Sequence, residues 1–90
     1  MPHHPHELRL TQAIHGDASA RELIRVWASE RQQQLLIADQ IWDDPAAWGI
    51  LLVDLARNVA NCYAEQSGMD TEQTLARIKE GFDAEWSSPT

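Results

Sequence analysis

Apolar and polar positions alternate through Glu7-Leu8-Arg9-Leu10-Thr11, a period of two that predicts a short, half-buried strand. The period then lengthens. After Gly16, the residues Ala20, Leu23, Ile24 and Trp27 recur at helical spacing, and Ser19 with Glu22 has the form of a capping box, so a helix is expected to begin at Asp17 or Ser19. Asp17 with Arg21 and Glu22 with Arg25 supply favourable pairs on its solvent face. Beyond the polar stretch 30–34, the run Leu35-Leu36-Ile37-Ala38-Asp39-Gln40-Ile41-Trp42 is too short for a helix and rich in strand formers, which makes it the second strand.

Asp43-Asp44-Pro45 is the sharpest boundary in the chain: Asp44 can accept from orphan helix N–H groups, and Pro45 suits a first helical position. The helix that follows runs to about Gln66. Its polar residues Asp54, Arg57, Asn58, Asn61 and Glu65 share one narrow stripe, so it is expected to be the central, most buried helix. Gly68 supplies a left-handed stop, and Asp70 with Gln73 opens a last helix whose seam is Leu75, Ile78, Phe82 and Trp86. Ser87-Ser88-Pro89 ends it.

These elements predict an α+β fold in the order strand, helix, strand, helix, helix, with a small two-stranded sheet packed on helices and a C-terminal antiparallel helical hairpin. The hairpin register places Leu75 against Cys62, Ile78 against Val59, Phe82 near Leu55, and Trp86 near Leu51 and Trp48. Gly49 and Gly81 are each expected to admit a bulky neighbour such as a Trp ring. Residues 1–6, with two prolines and three histidines, read as a mobile arm, and 7–90 as one domain. Two strands make a marginal sheet with an open edge, so a second copy is expected to pair along 35–42 and form a homodimer. A proline at Ile37 is expected to break dimer and fold together, since it removes a ladder donor from a buried strand.

Composition narrows the function. In 90 residues, 43% hydrophobic and 23% charged, there is room for one small domain with little core to surrender to a deep pocket. Residues 1–34 balance four acids with four bases, and the whole net charge of −7 arises later in the chain. No basic stripe is available to neutralise phosphates, so a nucleic-acid role is not expected, whereas an acidic surface could meet a partner with a basic one. No apolar run approaches a membrane span and no export signal opens the chain, which leaves a cytoplasmic protein as the expectation. Cys62, the single cysteine, excludes an intrachain disulfide and a cysteine zinc cluster.

Few residues invite chemistry. Once Met1 is removed, the Pro2 amine, the His3 and His4 amides and the His4 imidazole could form a square-planar Cu(II) or Ni(II) chelate, although a polar arm that merely carries histidines explains them as well. His15 beside Gly16 reads as a turn residue rather than a general base. Asp39, Asp43 and Asp44 lack the spacing of a calcium loop. Cys62, in mid-helix with no neighbouring histidine, reads as core. There is no phosphate loop, nucleophile elbow or His–Glu metalloprotease motif, and no cofactor is expected. Four tryptophans against one Tyr and one Phe are the most unusual feature. Trp27, Trp48 and Trp86 fall on apolar stripes as core residues, while Trp42, at a strand end beside two aspartates, is the better candidate for binding.

The motif Trp42-Asp43-Asp44-Pro45-Ala46-Ala47-Trp48-Gly49 with the apolar run to Ala60, the ending Gly81-Phe82-Asp83-Ala84-Glu85-Trp86, and the opening Met1-Pro2-His3-His4-Pro5-His6-Glu7-Leu8 together resemble a small family of bacterial proteins defined as a domain of unknown function. The resemblance covers nearly the whole chain. It implies a stand-alone bacterial domain with a native histidine opening and transfers no catalytic residue. The expectation is therefore a non-enzymatic, homodimeric interaction module with an acidic surface. The alternative is a small-ligand binder or minor enzyme using a cleft near Trp42, Asp43, Asp44 and Trp48.

Overall fold

A computed structural model describes residues 3–90, and the chain divides into two compact units, residues 1–41 and 42–90. The fold is α+β: a small two-stranded antiparallel sheet, a short helical turn and a C-terminal pair of helices. In the first unit, α1 (Gln12–His15) is one turn capped by Thr11, whose side chain accepts from the Ile14 N–H. It is followed by β1 (Ile24–Ala28) and β2 (Gln33–Ile37), paired in the register Ile24 with Ile37, Val26 with Leu35, and Ala28 with Gln33. Residues 29–32 close the hairpin: the Ser29 N–H donates to the Gln32 carbonyl at 3.3 Å, and the Ser29 hydroxyl donates to the same oxygen at 2.8 Å.

The order of the first half therefore differs from the expected strand, helix, strand. Leu8–Leu10 is not a strand, and Leu8 stands 92% exposed. Two alternating leucines lack a ladder partner, because β2 pairs with β1 instead. The expected helix over Ala20, Leu23, Ile24 and Trp27 is replaced by β1. That spacing fits a helix, yet Ile24-Arg25-Val26-Trp27-Ala28 also alternates and carries two β-branched residues, and pairing with β2 selects the strand. β2 lies within 33–37 rather than 35–42, because Gln40 adopts φ 64°, a left-handed turn that extended pairing cannot pass through. The capping box is absent as well: the Ser19 N–H and hydroxyl both donate to Asp17 Oδ1, at 2.9 and 2.6 Å, and these bonds hold the Asp17 carboxyl below its ordinary pKa.

The second unit follows the expected boundaries closely. α2 (Ala46–Ser67) begins after Pro45, with Asp44 Oδ1 accepting from the Ala46 N–H at 3.0 Å. Gly68 ends it at φ 67°, where its N–H reaches the Ala64 carbonyl at 3.0 Å, a conformation glycine enters without a Cβ penalty. α3 (Thr71–Ser87) starts at Asp70, whose carboxylate accepts from the Gln73 N–H at 2.9 Å. The two helices pack together where burial is deepest, at Ala60 and Thr74, with Ala56, Ala64, Leu75 and Ile78 half-buried around them.

α2 is not the buried centre that its composition suggested. Among the described residues Ala60 is the one fully buried apolar side chain; Leu55, Val59 and Phe82 remain 53%, 38% and 49% exposed, so on α2 the seam runs along the alanines rather than Leu55 and Val59, while Leu75 and Ile78 keep their place in it on α3. Cys62 is exposed, and Trp86 is 77% exposed with its ring stacked on Phe82 at 5.6 Å, which removes both from the core. Gly49 and Gly81 admit no ring either: a Cβ at each would meet nothing within 4 Å. Gly49→Ala and Gly81→Ala are accordingly expected to raise stability by about 0.8–1 kcal/mol each through helix propensity, read as a higher urea midpoint at unchanged slope.

Candidate functional site

The tight boundary at Asp43-Asp44-Pro45 sets the position of Trp42 relative to α2. One turn into the helix, the Trp48 ring meets Trp42 edge to face, with centroids 5.0 Å apart and planes at 74°, a favoured arrangement for two aromatic quadrupoles. Trp42 is 37% exposed and Trp48 half-buried. Asp43 and Asp44 are exposed, and Asp44 is engaged as the helix-start acceptor already described. The structure thus brings the four sequence candidates into one short segment, where the two rings spend surface on each other and one carboxylate serves the backbone. This arrangement can present an indole face and a free carboxylate to a flat or cationic group. It holds no pair of groups within hydrogen-bond reach for acid–base catalysis.

In the N-terminal arm, Pro2 lies outside the described residues. His3 Nδ1 stands 3.4 Å from the Glu7 carboxylate, and His4 Nδ1 accepts from the His6 N–H at 3.0 Å. The His4 ring also packs edge-on against Trp27 at 5.0 Å and 71°. A His4-centred chelate would have to displace both contacts. Helical spacing places Trp27 on a helix stripe and so gives no sign of this contact; on β1 it shares a sheet face with Arg25 and receives a ring from the arm. Among the described residues no group of three His, Cys, Asp or Glu side chains could hold a metal ion.

Two shallow depressions occur in the first unit. The larger, about 580 Å³, runs past Leu10, Ile14, His15, Asp17 and Arg21; the smaller, about 250 Å³, lies beside Leu23, Ile24, Leu36 and Ile37. His15 and Asp17 face the first, but Asp17 is tied to Ser19, which leaves a turn rather than a catalytic pair. The larger depression is lined by α1 and the irregular stretch 17–22, where helical spacing predicts a helix, and the smaller one depends on β1 being a strand, so the sequence points to neither. Charge is likewise handled locally: on α3 Arg77 pairs with Glu80 at 2.8 Å and Lys79 with Asp83 at 2.7 Å, and the Asp83 carboxylate raises the Lys79 pKa. These exposed pairs contribute little to stability.

Residues 7–90 match the family model described as "Domain of unknown function (DUF5076)". The chain belongs to this family. A solved structure from the photosynthetic bacterium Rhodopseudomonas palustrus CGA009, described as a "putative pyruvate dehydrogenase", is 34% identical, with 97% of this chain and 89% of that one covered at a TM-score of 0.73. No curated protein matches the chain. The DUF5076 match places the Trp42–Trp48 boundary and both helices inside the family region, and leaves the first six residues outside it. No helix among the described residues is long and apolar enough to cross a membrane.

Proposed function

We propose that this DUF5076 protein is a non-enzymatic interaction module that associates with itself and offers an acidic surface to a partner of basic surface. The observation that carries this reading is the apolar surface that α3 leaves uncovered on one face of α2: Leu52, Leu55, Val59 and Tyr63 are 46%, 53%, 38% and 50% exposed although they lie in one well-formed helix. A protein rarely leaves a contiguous apolar stretch of this kind to water unless something covers it in use. The acids support the second half of the reading. Asp39, Asp43, Asp44, Asp54, Glu65, Asp70 and Glu72 are all exposed, and the net charge of −7 falls wholly on residues 35–90.

The ligand-binding alternative has the Trp42–Trp48 pair in its favour, with an indole 37% exposed beside two carboxylates. The test of the interaction reading is the mass in solution. Light scattering across the micromolar range is expected to give twice 10.2 kDa, and a mass of 10.2 kDa at every concentration would overturn it.

A further inference from the structure

The N-terminal arm lies against the sheet of its own unit, and two of its contacts meet at one side chain, His4. His4 Nδ1 accepts from the His6 N–H at 3.0 Å, while the ring packs edge-on against Trp27 at 5.0 Å and 71°. A backbone N–H can only donate, so Nδ1 must keep its lone pair and the ring proton must sit on Nε2. The turn around it is closed by the Glu7 N–H, which donates to the His4 carbonyl at 3.0 Å. The arm is thus seated on a neutral imidazole. Charged and titratable groups approach it from the arm and from β1. The arm holds His3, 3.4 Å from the Glu7 carboxylate, and His6, whose ring is 5.7 Å from that of His4. On β1, Arg25 shares the Trp27 face and pairs with Glu22 at 2.9 Å; this pair raises the Arg25 pKa, and Glu7 adds to it from the arm. β2 contributes no charge, since Gln34 and Leu36 lie opposite Trp27 and Arg25 and its five residues are all uncharged.

We propose that His4 is a proton-sensitive latch: neutral, it fastens the arm to Trp27, and protonated, it lets the arm go and frees the half-buried indole. The step is local. A proton on Nδ1 turns the acceptor into a donor facing the His6 N–H, so the bond is lost and two N–H groups are set against each other. The new cation also meets Arg25 and a protonated His6, against a single arm carboxylate, Glu7, that His3 and Arg25 already share. Imidazoles take up this proton between about pH 8 and 5. A contact that only the uncharged ring makes weakens as protons are added, which fixes the sign: docked in base, released in acid.

The test uses the whole chain and nuclear Overhauser contacts between the His4 ring and the Trp27 indole. The contact is expected at about pH 8 and lost at about pH 5, with its loss following the titration of the His4 ring resonances. His4→Phe keeps an aromatic ring without a titrating atom and is expected to hold the contact at both values. A wild-type contact that persists once His4 is protonated, held by attraction of the imidazolium to the indole, overturns the latch, and so does a contact absent at the higher pH. Loss in acid from His4→Phe overturns it as well, because the response then belongs to Glu7, His3 or the sheet. If His4→Phe does not dock at the higher pH, the ring resonances decide: loss that tracks His4 supports the latch, and loss that tracks His3 or Glu7 overturns it.

Discussion

Ala60→Leu is expected to destabilise the protein by about 1–3 kcal/mol, read from urea unfolding followed by far-UV circular dichroism. Ala60 is completely buried, and α3 comes close to α2 because the line there is made of alanines. Three further carbon atoms at this point must either force side chains off their rotamers or lift α3 away, and lifting α3 also exposes Thr74, the other buried residue among those described. Asn61→Leu is the control, one position round the helix and exposed, where a change within about 0.5 kcal/mol is expected. Equal stability of Ala60→Leu and the wild type would show that α3 does not seat on the alanines.

Leu36→Pro is expected to melt the β-hairpin, whereas Ile37→Pro, one residue on, is expected to leave it intact. The bonds flanking the ladder decide the difference. Ala38 N–H donates to the Leu23 carbonyl at 2.9 Å, and Ser29 N–H donates to the Gln32 carbonyl at 3.3 Å, so with Ile24 opposite Ile37 the hydrogen-bonded pairs fall on even residues of β2. The Leu36 N–H therefore points at β1 and the Ile37 N–H at the open edge. Proline at 36 removes a ladder donor and strands an acceptor, at a cost of about 1–3 kcal/mol that a two-stranded sheet cannot absorb. Proline at 37 removes a donor that the β1–β2 ladder does not use, so the hairpin itself is expected to survive it. Amide exchange across residues 24–28 reads both variants: protection lost in the first and kept in the second. Loss in both would mean the opposite pairing parity.

Legibility followed the range of the interactions involved. Asp70, Gly68 and the Asp44-Pro45 step act on backbone groups within four residues, and each did in the structure what its side chain dictates: the Asp70 carboxylate reaches the Gln73 N–H, and Gly68 turns left-handed. Residues 20–28 were illegible for the opposite reason. Ala20, Leu23, Ile24 and Trp27 satisfy a helix while Ile24, Val26 and Ala28 satisfy a strand, and only the partner at Gln33–Ile37 breaks the tie. The candidate segment Trp42 to Trp48 was visible as a motif, but its ring-on-ring geometry was not, because an edge-to-face contact depends on the angle at which the chain enters α2. The His4–Trp27 contact was hidden behind the wrong assignment of β1.

Local chemistry in the sequence was thus enough to determine the α+β class, the limits of both long helices, the distribution of charge and the likeness to a family without an assigned activity. Only the tertiary structure decided that β1 replaces a helix, that α3 rests on Ala56, Ala60 and Ala64, and that α3 leaves the large residues Leu52, Leu55 and Val59 uncovered. The reason is geometric. An apolar stripe records that a surface avoids water, but two such lines on one helix compete for one neighbour, and the closer approach permitted by alanine gives α3 to the smaller line.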